Sequence, residues 1–264
     1  MGKWKNAPVV YVIVQVRFSP VLSLPTYLPQ IQEHFRKAGF PGFANRFNFQ
    51  LGFSLGQTPS PEAAAPPLPV ERTSSYVFFN RDNSQSVILE PNGLTLHVTD
   101  YEDFDWFMSL FLEQLEKVNQ VIGPDFSERI GLRYIDAIVP NEGKTVWDYL
   151  TPEAAGPRKV GGFSPQHSFL ETMFAMERTS VVSRVLIRDG QIAFPPDLAS
   201  FQISVDPRFS NYRGAHATVD TDAFQSGASP MDLNQIRGSL EELHSAVNKT
   251  FRTVVTDHAL AEWR

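Results

Sequence analysis

The residues predict an α+β protein of two halves, each an antiparallel β-meander packed against a long amphipathic α-helix. Three observations lead there. Short runs of alternating apolar and polar residues recur in both halves, which is the period of a half-buried strand. Two long stripes at helical spacing, over 103–122 and 233–254, each close such a set of runs. Turn dipeptides separate the runs, Asn92-Gly93 in the first half and Asp189-Gly190 in the second.

Taken in order, Val9 to Phe18 (VVYVIVQVRF) is β-branched and aromatic and alternates from Val12 onward, with Pro8 just outside, where a missing N–H does least harm. Pro25 to Ala38 places Leu28, Ile31 and Phe35 one turn apart and stops at Gly39, as a short helix does. Phe47 to Leu55 alternates strictly, with Phe47, Phe49, Leu51 and Phe53 on one face. Residues 56–69 (GQTPSPEAAAPPLP) hold Pro and Ala with almost no charge and read as a solvent loop. Ser75 to Asn80, Ser86 to Glu90 and Leu94 to Thr99 form a meander. Its helix carries Phe104, Phe107, Phe111, Leu115, Val118 and Ile122 and ends at Gly123-Pro124.

Ser127 to Val139 (SERIGLRYIDAIV) is a further strand, and Pro140 to Gly143 opens a loop around Trp147, Tyr149 and Pro152. The Gly/Pro-rich stretch from Ala155 to Pro165 joins the halves and divides the chain into 1–154 and 155–264. Strands follow at His167 to Glu177, Ser180 to Arg188, Ser200 to Asp206 and Ala215 to Asp222. Ser229 as N-cap, Pro230 at the first helical position and Asp232 in the first turn then open a helix striped by Leu233, Ile236, Leu240, Leu243, Val247, Phe251 and Val254. Gly238 inside it marks either a close crossing or a weak point. Thr256-Asp257 caps a terminal turn, and no residue-level repeat links the halves.

At 264 residues and 42% hydrophobic, with 21 Phe against 4 Trp, the chain buries a sizeable, Phe-rich core. A net charge of -6 without any Lys/Arg block disfavours nucleic acid as a partner. The absence of cysteine removes disulfides, thiolate nucleophiles and thiolate metal sites together. The opening apolar run is interrupted by Gln15 and Arg17, and no stretch approaches the roughly 20 apolar residues of a spanning helix. A cytoplasmic protein without membrane contact is expected.

Several residues carry a family resemblance. Asn6-Ala7-Pro8-Val9-Val10 ahead of the first strand, the meander leading to Tyr101-Glu102-Asp103-Phe104, and above all Arg129-Ile130-Gly131-Leu132-Arg133-Tyr134-Ile135-Asp136 are similar to a sporadically distributed family of prokaryotic proteins without an assigned activity. The resemblance spans nearly the whole chain and departs at Asp136, where the family more often has Asn, and at Tyr11, where it more often has an acid. It implies an accessory protein of a mobile system, such as a defence, phage-related or secretion-linked one, and it implies no catalytic residue.

The candidate binding site is the strand carrying Arg129, Arg133, Tyr134 and Asp136. Alternation puts Arg129, Gly131 and Arg133 on one face, where the glycine leaves room for an anionic small molecule or a partner's carboxylate. The same pattern fits a structural ion pair between Arg133 and a buried acid such as Glu90 or Glu171. Tyr134 and Asp136 point the other way. A metal site would need His97, His167 and His216 with Glu171 or Asp220, and a carboxylate pair would need Glu171 and Glu177; neither has a local signature. P-loop, dinucleotide and nucleophile-elbow motifs are missing. The expectation is therefore a non-enzymatic interaction protein with a protein partner and no catalytic residue, metal or cofactor, or else a binder of an anionic small molecule or nucleotide.

Overall fold

The computed structural model describes residues 6–51, 70–158, 160–163, 165–198 and 203–264. The Pro/Ala-rich stretch 56–69 and the alternating run beyond Leu51 lie outside them. Among the described residues, nine strands form one antiparallel sheet in the order β2-β3-β4-β5-β1-β6-β9-β8-β7. They are β1 (Val9–Phe18), β2 (Gly42–Leu51), β3 (Val70–Phe79), β4 (Gln85–Glu90), β5 (Gly93–Val98), β6 (Phe126–Ile138), β7 (His167–Met176), β8 (Thr179–Arg188) and β9 (His216–Pro230). Helices α1 (Leu24–Lys37), α2 (Phe104–Ile122) and α6 (Leu233–Val254) accompany them. The shorter α3 (Val146–Tyr149), α4 (Pro152–Ala155), α5 (Pro207–Ser210) and α7 (Asp257–Glu262) complete the α+β chain.

The strand order reads alike outward from the central β1–β6 pair. Each half opens with its central strand, leaves the sheet, and returns strand by strand until the last one lies against the first. The first half returns with four strands and the second with three, so β7 stands one strand short of its counterpart edge.

One face of the sheet is covered by helices. Val12, Val14, Val16 and Phe18 of β1 and Ile130 and Leu132 of β6 pack against Phe107, Phe111, Leu115 and Val118 of α2 and against Ile236, Leu240, Leu243 and Val247 of α6. That cluster draws on residues from both sides of position 154, so the two stretches share a core. A second cluster, with Tyr149, Leu150, Phe251 and Trp263, closes the sheet end under α7. Asp103 caps α2 by accepting from the Trp106 N–H at 2.8 Å, and Gly123 ends it at a φ of +53° that suits glycine.

Three expectations are corrected. Ser229 and Pro230 do not start α6: their backbones pair with Ser127 and Phe126 at the end of β9, and Asp232 is the cap, accepting from the N–H groups of Asn234 and Gln235. No strand runs through the described residues 203–206; they belong to the β8–β9 connection, which turns through a short 3-10 helix at 196–198 before α5. The loop around Trp147 holds α3 and α4, the first closed by a reciprocal Thr145–Asp148 capping box. A Cβ at Gly238 would meet nothing within 4 Å, so this glycine is a weak point and not a crossing.

Candidate functional site

The face away from the three long helices is where the candidate residues diverge. Odd-numbered residues of β6 point there, alongside even-numbered residues of β8 and β9 and odd-numbered residues of β7. The register sets Glu171 beside Arg184, Arg184 beside Asp220, and Arg133 beside Asp222. Part of this face is roofed by the β8–β9 connection, whose Phe194, Leu198 and Ile203 rest on Tyr11, Ile13 and Ile135.

Arg133 is clamped. Its Nε donates to Asp220 Oδ1 at 2.7 Å and its Nη2 to Asp220 Oδ2 at 2.8 Å, while Nη1 donates to Asp197 Oδ2 at 2.6 Å. Burial opposes its charge, but the bonds to Asp220 and Asp197 outweigh that and raise its pKa above the ordinary arginine value. Arg184 donates to Glu171 at 2.6 Å and reaches the same Asp220 at 3.3 Å. The expected structural pair is thus present with other partners. Asp220, only 3% exposed, and Asp197 hold Arg133, whereas Glu171 holds Arg184 and Glu90 accepts from the Ser75 hydroxyl.

The room expected over Gly131 is filled from within. Arg129 folds across it, so that a Cβ there would meet Arg129 Nη1 at 2.6 Å. This guanidinium donates to Gln15 at 3.2 Å, lies 4.7 Å from the Phe224 ring centroid, and stands 3.8 Å from Asp222.

Tyr134 and Asp136 occupy the helix side, apart from the two arginines. The Tyr134 hydroxyl bonds that of Tyr101 at 2.9 Å, and its ring stacks on His244, itself stacked 3.8 Å from Phe104. Burial, and then the charge of Asp220, push the Asp136 carboxyl up to about 8. The four candidates therefore form two environments on opposite faces, not one constellation.

The histidines and acids weighed for catalysis disperse. His97 is buried against the Tyr11 hydroxyl and held down to about 3, by burial first and then by Arg133. His216 bonds the Gly214 carbonyl at 2.9 Å. Glu177 sits in the β7–β8 turn at a φ of +52°. Among the described residues, no group of three or more His, Asp or Glu is placed to hold a metal. No helix among them is long and apolar enough to cross a membrane.

Two hollows adjoin the arginines. The larger, about 510 Å³, is floored by Arg133, Arg184, Asp220 and Asp222 and walled by Phe169 and Phe194. Asp197, Asp220 and Asp222 line it with the two guanidinium groups, and Asp222 also faces Arg129 at 3.8 Å, so its charges are largely paired within the chain. The smaller, about 360 Å³, is lined by Arg129, Arg178, Ser226, Gly227, Ser229 and Glu242. Beside the larger hollow runs β7, exposed on both faces: Phe169 at 60%, Met173 at 61%, Phe174 at 49% and Met176 at 74%, with Leu170 also exposed.

Asp220 and Asp222 were readable in principle, since Thr218-Val219-Asp220-Thr221-Asp222 places an acid at alternate positions of a strand. Asp197 and Phe194 come from a connection without periodicity, and nothing local marks them. Compared with known proteins, the chain matches no family model and no curated protein.

Proposed function

We propose that the protein is a non-enzymatic interaction protein, an accessory subunit of a mobile prokaryotic system of the defence, phage-related or secretion-linked kind. The observation that carries this reading is β7, an edge strand whose large apolar side chains stand exposed on both faces. Such an edge is a template for another chain, and natural sheets seldom leave one bare. In this reading residues 1–154 supply the wider part of the scaffold and residues 155–264 the docking edge. The 510 Å³ groove supports it, because its guanidinium groups are spent on its own carboxylates. A partner crossing the groove would set apolar side chains on Phe169 and Phe194 and a Lys or Arg near Asp197 and Asp222.

A photo-activated benzophenone side chain in place of Phe169, with one in place of the fully solvated Leu22 as control, tests this in cells. A discrete protein adduct from position 169 and none from 22 is expected. Failure to form a protein adduct at 169 removes the reading.

A second reading, binding of an anionic small molecule, is favoured by one observation: Arg129 and Arg178 line the 360 Å³ hollow together with Ser226 and Ser229. Phosphate or nucleotide that raises Tm saturably in the native protein, and leaves Arg129→Ala unshifted, would select it over the first.

A further inference from the structure

We infer that the protein is a homodimer joined along β7, two copies pairing this edge antiparallel about a two-fold axis normal to the sheet, so that the two sheets run on as one. The inference rests on reading β7 as a docking edge and names its occupant.

Strand order places β7 at the end of the sheet, one strand short of the other half. Helix α6 packs on β6, β8 and β9. On the helix side of β7, Leu170 and Phe174 remain exposed; on the other side, Phe169 and Met173 do. Val160 and Phe163 just ahead of the strand are also exposed, so the apolar surface continues past the paired residues toward the roughly 800 Å² per partner that a stable interface buries.

The symmetry selects a register. A two-fold axis normal to the sheet keeps both helix layers on one side and pairs only residues whose side chains share a face, which means residues of like parity. Two such registers overlap nearly the whole of β7. One, centred on Glu171, sets two carboxylates opposite each other, which is unfavourable. The other is centred on Thr172. It places Leu170 opposite the partner's Phe174, Phe169 opposite the partner's Ala175, and Glu171 opposite the partner's Met173, while the Glu171 carboxylate stays on Arg184 of its own chain. Thr172 then faces its own copy, a favourable cross-strand pair, and every large apolar residue from 169 to 174 gains a cross-strand neighbour on its own face.

Since the chain has no cysteine, Thr172→Cys introduces its only thiol. Directly opposed residues of an antiparallel pair lie about 4.5–5.5 Å apart at Cα, within disulfide reach. The full-length native protein is expected to show twice the chain mass by light scattering. Mild oxidation should convert Thr172→Cys, but not Met176→Cys, into a disulfide-linked dimer. Phe174→Lys should halve the mass while keeping the circular dichroism spectrum and a cooperative thermal transition. A dimer that cross-links through Met176→Cys and not through Thr172→Cys overturns the pairing. A monomer whose position-169 photo-probe labels a different protein overturns the homodimer and leaves the docking reading standing. A monomer with no protein adduct at 169 removes both.

Discussion

Asp220 is the carboxylate that two guanidinium groups share: Arg133 in a two-pronged clamp and Arg184 at 3.3 Å, on strands β6 and β8 that flank its own. It ties three neighbouring strands through side chains as well as backbone, at a place almost closed to water. Removing one partner of a buried pair leaves the other charge desolvated and uncompensated. Asp220→Ala is therefore expected to lower the unfolding free energy in urea by about 3–5 kcal/mol. Asp197 is 60% exposed on its side chain, and Asp197→Ala should cost under about 1 kcal/mol. Equal losses for the two would mean that the clamp does not organise the sheet. At this scale the sequence showed that Arg129 and Arg133 share a face, because parity along a strand is a local property. It did not show their partners, which are set by the pairing of β6 with β9 across some ninety positions of sequence.

Elements were legible where one local signal dominates. The stripes of α2 and α6, the Asn92-Gly93 turn and the alternation of β1 each follow from a period or a dipeptide. The start of α6 was misread because two signals compete within four residues. Ser229-Pro230 is a good helix opening, but the ladder with β6 reaches Pro230 and holds both residues extended, and Asp232 then supplies the cap. That outcome can be measured by denaturant titration. Asp232→Ala should cost about 1 kcal/mol, since two N–H groups lose their acceptor, and Ser229→Ala should change stability by less than about 0.5 kcal/mol. The reverse order would restore Ser229 as the cap. In the β8–β9 connection the run from Ser200 to Asp206 suggested a strand, but the described residues 203–206 join no ladder, and apolar Phe194, Leu198 and Ile203 instead roof part of the open face over Tyr11, Ile13 and Ile135.

At the scale of the whole molecule, the strand order could not be read from the chain, because any meander-plus-helix unit can join another at either edge. In the observed order β1 and β6 meet at the middle of the sheet, and pairing them puts α2 and α6 over one core. Titratable groups of opposite habit are buried on the two faces of the sheet, His97 beside Tyr11 on one and Asp136 on the other, which gives stability a shape in pH. His97 is held down to about 3 and His244 to about 4, each by burial first, so both stay neutral in the folded chain while an unfolded histidine protonates below 6.5. Asp136 is raised to about 8 and stays protonated when folded, while an unfolded aspartate has lost its proton above 3.8. Between about pH 4 and 6.5, the unfolded chain thus holds two extra protons on the histidines and lacks one at Asp136. It binds one more proton in balance, and stability rises with pH. From 6.5 to 8 only the Asp136 difference remains, the sign reverses, and stability falls by up to about 1.4 kcal/mol per pH unit. His244 is partly exposed, so screening shallows the acid limb more than the alkaline one. Thermal midpoints measured from pH 4 to 8.5 should peak near 6.5, and Asp136→Asn should abolish the alkaline fall and steepen the acid limb, because nothing then offsets the histidine protons. A variant that falls as steeply as the wild type above pH 6.5 would place the missing proton elsewhere in the core.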